Sequence, residues 1–169
     1  VFIAPESPTH RERELKEKKD GATVVEDAAA EPPVRLFEVE LGTKTITRLS
    51  TNADWISTLA VSPDGNHAVT IHQQSLRFEY DNAIVPHYVL TDLRTGERRQ
   101  VFTERRFNLL QIEWSPDSRG FFAVNGFTTH PKYLQAVVAE LWRCDLPDAH
   151  PTQVPLDWPR GLATEVAWG

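Results

Sequence analysis

Leu59-Ala60-Val61-Ser62-Pro63-Asp64-Gly65 is answered 53 residues later (115 − 62) by Ile112-Glu113-Trp114-Ser115-Pro116-Asp117-Ser118. A third copy opens at Val166-Ala167-Trp168, shifted 54 from the second (168 − 114). A separate landmark, an apolar stretch closing on Leu before a turn, sits at Leu36 to Leu41, Val89 to Leu93 and Leu141 to Leu146. Its spacings are 52 (93 − 41) and 53 (146 − 93). Two independent landmarks that hold one period in phase make the chain a tandem array.

Inside each unit the apolar period is 2, not 3.6. Ala68-Val69-Thr70-Ile71, Tyr88 to Leu93 and Arg99 to Thr103 are short runs rich in Val, Ile, Tyr and Thr, bounded by turn residues. That is strand chemistry. Ser62-Pro63-Asp64-Gly65 and Ser115-Pro116-Asp117 supply type I turns, Ser accepting a backbone bond and Pro fixing φ. Arg94-Thr95-Gly96-Glu97 and Gly42-Thr43 supply the second tight turn. Each unit therefore reads as four antiparallel strands, a to d. A four-stranded unit of about 40 to 50 residues is the blade of a β-propeller.

The expected fold is thus all-β, a β-propeller segment of four-stranded antiparallel blades in an incomplete ring. Residues 1–50 read as the end of one blade, with a charged insertion (4–33) before its last two strands. Residues 51–106 and 107–157 read as complete blades, and 158–169 as the start of another. All belong to one propeller domain. The chain holds no Met and starts Val1-Phe2-Ile3, and Glu165 to Gly169 breaks off inside a strand pattern. It is expected to be an excised piece.

Composition excludes several function classes. Twenty-four acidic against 18 basic residues give a net charge of −6 with no basic stripe, so nucleic acid is not an expected partner. No apolar run approaches the roughly 20 residues of a membrane span. The single cysteine, Cys144, lacks ligand neighbours, and His10, His67, His72, His87, His130 and His150 have no metal-ligand spacing. No metal or cofactor is expected, and the histidines read as surface or turn residues.

The Ser-Pro-Asp turns, the Asp92-Leu93-Arg94-Thr95-Gly96 strand end and the Leu49-Ser50 and Phe102-Thr103 strand ends give the chain a family likeness. It resembles the N-terminal propeller of prolyl oligopeptidase family serine peptidases, in the acylaminoacyl-peptidase and dipeptidyl-peptidase-like branches. The TolB-like propeller, a non-enzymatic scaffold, is the second resemblance. The insertion running from Ala4 through Lys16-Glu17-Lys18-Lys19 to Val24-Val25-Glu26-Asp27, ahead of Arg35-Leu36-Phe37, favours the peptidase. That resemblance implies a gating propeller whose partners are a C-terminal α/β-hydrolase domain of the same parent chain and short peptide substrates. The catalytic Ser, Asp and His would lie in the hydrolase, because no serine here has the flanking glycines of a nucleophile elbow. The paired glutamates of a dipeptidyl peptidase are absent too.

Ser62 with Asp64 and Ser115 with Asp117 look like nucleophile and acid, but their once-per-blade recurrence marks them as turn residues. Trp114 and Trp168 share one repeat position and read as packing between blades. Blade topology puts the a-b and c-d turns at one face and the b-c and d-a connections at the other. The b-c connections (4–33, 72–87 and 125–135) are long, and long connections concentrate function. The candidate gating or interdomain residues on that face are Arg77, Phe78, Glu79, Tyr80, Arg105, Arg106, Lys132 and Tyr133.

Overall fold

The structure is a computed structural model that describes residues 1–6, 13, 16–19, 32–75, 84–128, 137–157 and 162. Its named elements are all strands. A short three-stranded unit pairs β1 (Phe2–Pro5), β2 (Val34–Glu40) and β3 (Thr45–Arg48), antiparallel throughout. Next comes an antiparallel meander of β4 (Trp55–Val61), β5 (His67–Gln73), β6 (His87–Asp92) and β7 (Arg98–Val101). A second meander follows, β8 (Leu109–Trp114), β9 (Gly120–Phe127), β10 (Val138–Asp145) and β11 (Pro151–Gln153). One parallel bridge, Val34 to Trp55, joins the first unit to the second. Face-to-face antiparallel meanders related by a fixed repeat are the blades of a propeller, and among the described residues they do not close into a ring.

The repeat extends to irregularities. The a-b ladder slips between Ile56 and Thr58, and again between Leu109 and Gln111, 53 residues on (109 − 56). In each Ser-Pro-Asp turn the serine hydroxyl donates to the aspartate, Ser62 to Asp64 and Ser115 to Asp117, at 2.6 Å. The same hydroxyl accepts the backbone N–H of the residue that starts strand b, His67 or Gly120. The carbonyls of Ser62 and Ser115 take the N–H of the fourth turn residue at 2.9 Å. The serines are therefore occupied by the turn.

Strands b and c run further than the sequence suggests. His72 pairs with His87 in the β5–β6 ladder, and β9 reaches Phe127 while β10 begins at Val138. The connections are accordingly shorter than 72–87, and the second is displaced from 125–135. The polar residues His72 and Asn125 stay in register because their side chains are buried and hydrogen-bonded, which a hydropathy pattern does not show.

The main core lies between the two meanders. Tyr88, Leu90, Val101 and Phe102 of one face pack against Phe107, Ile112, Trp114, Phe121 and Cys144 of the next. Phe102 is its hub, with ring centroids 4.9 Å from Phe107, 5.8 Å from Tyr88 and 6.3 Å from Phe121. Two bonds cross the same seam on strands a and turns a-b: Trp114 Nε1 donates to the Ala60 carbonyl at 3.0 Å, and Asp64 N–H to Ser118 Oγ at 3.0 Å.

Candidate functional site

The β7–β8 connection, Glu104-Arg105-Arg106-Phe107, lies where β9 ends and β10 begins. Arg105 is held there from three sides. Its guanidinium carbon stands 5.0 Å from the Phe107 ring centroid and 4.8 Å from that of Trp142, and these rings meet edge to face at 5.0 Å. Its Nη2 donates to Glu140 Oε2. Two further donors, Asn125 Nδ2 and Trp142 Nε1, reach the same oxygen at 3.1 Å, and Gln153 Nε2 reaches Oε1 at 3.2 Å. A planar cation between two aromatic faces loses little rotamer freedom on meeting a ligand. Arg105 is nonetheless 43% exposed, so this is a pre-aimed, solvent-facing guanidinium suited to carboxylates or carbonyls.

One repeat earlier the same rim is built differently. Asn52 stands in the place of Arg105 (105 − 52 = 53), Asp54 in that of Phe107 and His72 in that of Asn125. His72 Nδ1 lies 2.8 Å from Asp54 Oδ1, and its Nε2 lies 2.9 Å from Thr70 Oγ1. Asn52 and Gln74 also donate to the Asp54 carboxylate, at 2.7 and 2.6 Å. Burial alone would raise the Asp54 pKa, but the bond and charge of His72 and the bonds from Gln74 and Asn52 bring it below its ordinary value.

Carboxylate, imidazole and hydroxyl in a row have the order of a hydrolytic relay. Thr70 is buried, however, and its hydroxyl also faces the Val89 carbonyl at 3.3 Å, so no substrate carbonyl reaches it. The row is a brace. It continues into the first unit, where Asn52 donates to the Val34 carbonyl, Ser50 to Asn52, and Arg35 to the Asn52 carbonyl. Glu6 ties Arg35 and Arg48 together at 2.5 Å each.

On the opposite face a cleft of about 650 Å³ opens between the meanders, lined among others by Asp64, His67, Asp92 and Arg119. Asp64 is held down to about 2 by the Ser62 hydroxyl and the Asn66 amide. Among the described residues no three His, Cys, Asp or Glu side chains could hold a metal ion. No helix among them is long and apolar enough to cross a membrane. Cys144 is buried, and burial pushes its thiol up to about 12.

Of the residues named from the sequence, Arg105 and Arg106 fall on this rim, exposed. Arg77, Phe78, Glu79, Tyr80, Lys132 and Tyr133 lie outside the described residues, as does Trp168. His72 departs from the expected surface or turn role: it is buried in β5 because both ring nitrogens find partners. Glu140, Asn125 and Asp54 carry no motif that marks them in the sequence. Aligning the repeats shows paired polar residues at 72 and 125, but nothing in the sequence joins Arg105 to Trp142, 37 positions away (142 − 105).

No protein-family model and no curated protein sequence matches the chain. Solved structures do. Hydrazine synthase from Kuenenia stuttgartiensis aligns with a TM-score of 0.50 and 16% identity, over 73% of this chain and 36% of that one. The β-propeller domain of the Trilobed protease from Pyrococcus furiosus aligns at 0.47 and 17%, over 75% and 38%. TolB from Acinetobacter baumannii aligns at 0.48 and 18%, over 73% and 27%. The chain thus spans about a third of the length of these proteins, and the likeness is one of fold.

Proposed function

We propose that the chain is part of the substrate-gating propeller of a serine peptidase that cleaves short peptides, with the catalytic α/β-hydrolase domain outside this sequence. Residues 1–50, 51–106, 107–157 and 158–169 are then successive parts of one propeller domain. The observation that supports this most is Arg105, fixed between Phe107 and Trp142 on the face that carries the long connections. A guanidinium fixed between two rings yet 43% exposed suits the carboxylate end or the carbonyls of an extended peptide. Arg106 follows it directly, and the reading extends to Arg77, Phe78, Glu79, Tyr80, Lys132 and Tyr133, which lie outside the described residues.

The test uses the full-length protein. Arg105→Ala and Arg106→Ala should each lower kcat/KM for peptides by about fivefold or more, and change hydrolysis of a small ester by less than about twofold. Only the larger substrate needs the gate. Equal effects on both substrates, or none on either, would refute the gating role. A parent without peptidase activity would favour a TolB-like scaffold that binds a protein partner.

A further inference from the structure

A cavity of about 230 Å³ lies beside the candidate site, and its lining runs from Val85 to Arg105, within β6, β7 and the connections that flank them. Val85, Pro86, Tyr88, Val101 and Phe102 form its apolar part, and all but Val85 are buried. The Tyr88 hydroxyl is engaged elsewhere, by the Phe107 carbonyl and the Leu109 N–H, and is not available to a ligand. Phe102 has φ +59°, a left-handed conformation that an aromatic residue rarely adopts. The equivalent residues one repeat away on either side are Leu49 (102 − 53), which does not share it, and Pro155 (102 + 53), whose ring forbids it. Strain of this kind persists where packing over-determines it, as the contacts of the Phe102 ring do here, and it clusters at binding sites.

Arg105 lines the same cavity. Its guanidinium is fixed by Phe107 and Trp142 and gives Nη2 to Glu140, and a guanidinium has five N–H donors in all. The Glu140 carboxylate is meanwhile shared among Arg105, Asn125, Trp142 and Gln153, so it has little left to offer a ligand's ammonium group. Among the described residues that line the cavity none is acidic. The site therefore favours an anion over a cation. Its volume is below the roughly 300 Å³ from which pockets take drug-sized molecules, which leaves room for one side chain and not for a longer segment.

We infer that this cavity takes an apolar residue bearing a free α-carboxylate, its side chain against Val85, Pro86 and Phe102 and its carboxylate on Arg105. The source of that residue rests on the gating role proposed above: it is the carboxy-terminal residue of a short peptide, so the gate reads the carboxyl end of its substrate and not the amino end. An N-acylated amino acid presents the same chemistry without the rest of the peptide.

Calorimetric titration of the full-length protein with N-acetyl-leucine and with N-acetyl-leucinamide is the test, and the acid should bind at least about tenfold more tightly. Arg105→Gln should bring the acid down to the level of the amide. Val85→Trp fills the cavity from a half-buried position and should weaken N-acetyl-leucine by about tenfold, with circular dichroism reporting both variants folded. A tetrapeptide ending in leucine should displace the acid, whereas its carboxy-terminal amide should not. Equal binding of acid and amide, binding of neither at about 20 mM, or a preference that survives Arg105→Gln would overturn the inference. Displacement by neither tetrapeptide would overturn the assignment to a peptide end. If Arg105→Ala lowers peptide turnover while acid and amide bind alike, the gate stands and this site falls. If the acid is preferred while Arg105→Ala leaves turnover unchanged, the carboxylate site stands and the gate falls.

Discussion

The two seams of the molecule occupy equivalent places in the repeat and are filled with opposite chemistry. Between the first unit and β4–β7 the rim is polar: Asn52, Asp54, Thr70 and His72 form a hydrogen-bonded row that reaches Ser50 and the Val34 carbonyl. Between β4–β7 and β8–β11 the rim carries the Arg105–Glu140 pair instead, and the seam beneath it is aromatic: Phe102, Phe107, Trp114, Phe121 and Tyr88 share one buried cluster. Blade geometry thus dictates where neighbours must meet but not how. A hydrophobic seam is insensitive to pH. A seam closed by a carboxylate whose pKa the fold lowers is not.

The largest expected effect tests the aromatic seam. Phe102→Ala removes the ring that touches Tyr88, Phe107 and Phe121, and should cost about 3–5 kcal/mol in urea unfolding, with little change in that cost between pH 7 and pH 3. A cost below about 1 kcal/mol would mean that the seam collapses around the gap or that its packing is not what holds the meanders together.

The polar seam should give a smaller loss with a pH signature. Asp54→Ala strips the acceptor from His72, Gln74 and Asn52 and should cost about 1–3 kcal/mol near neutral pH. Because the folded pKa of Asp54 lies below its ordinary value of 3.8, its contribution is complete above that value and fades as the pH falls through the lower folded pKa. The cost of Asp54→Ala should therefore shrink in acid, whereas that of Phe102→Ala should not. Parallel acid titrations of the two variants would erase the contrast.

The difference between the seams also sets what the sequence could reveal. Strand period, tight turns and the 53-residue repeat are local features, written in alternation and in Ser-Pro-Asp, and they were legible. The Ser62 and Ser115 hydroxyls are fixed by neighbours within five residues. His72 was not legible. A polar residue at the end of an apolar run reads as the start of a loop unless its partner is known, and Asp54 lies 18 positions away. Arg105 drew attention as a charge in a connection, but its rigidity comes from Trp142 and Glu140 across the sheet.

Tyr88 sharpens the comparison by placing one polar device inside the aromatic seam. Its hydroxyl donates to the Phe107 carbonyl at 3.1 Å and accepts the Leu109 N–H at 3.0 Å, and burial pushes its pKa up to about 12. Tyr88→Phe keeps the ring and leaves two buried backbone groups unpaired, so about 1–2 kcal/mol should be lost, without pH dependence below pH 9. Thermal unfolding at pH 5 and pH 8 checks both. No loss would show that water takes over these bonds and that the seam is wet.

The smallest effect separates strain from bonding at a hydrogen bond that joins successive Ser-Pro-Asp turns. Gly65 and Ser118 occupy the same repeat position and both have positive φ, +73° and +60°. Glycine adopts that conformation freely, whereas a side chain there costs about 1 kcal/mol. Ser118 bears the cost while its Oγ accepts the Asp64 N–H across the seam. Ser118→Ala keeps the strain and loses the bond, so it should destabilise by about 1 kcal/mol. Ser118→Gly loses the same bond but relieves the strain, and the two terms should nearly cancel. Urea midpoints of the pair decide the matter: if alanine and glycine are equally destabilising, the strain is not there, and if both are neutral, the cross-seam bond contributes nothing.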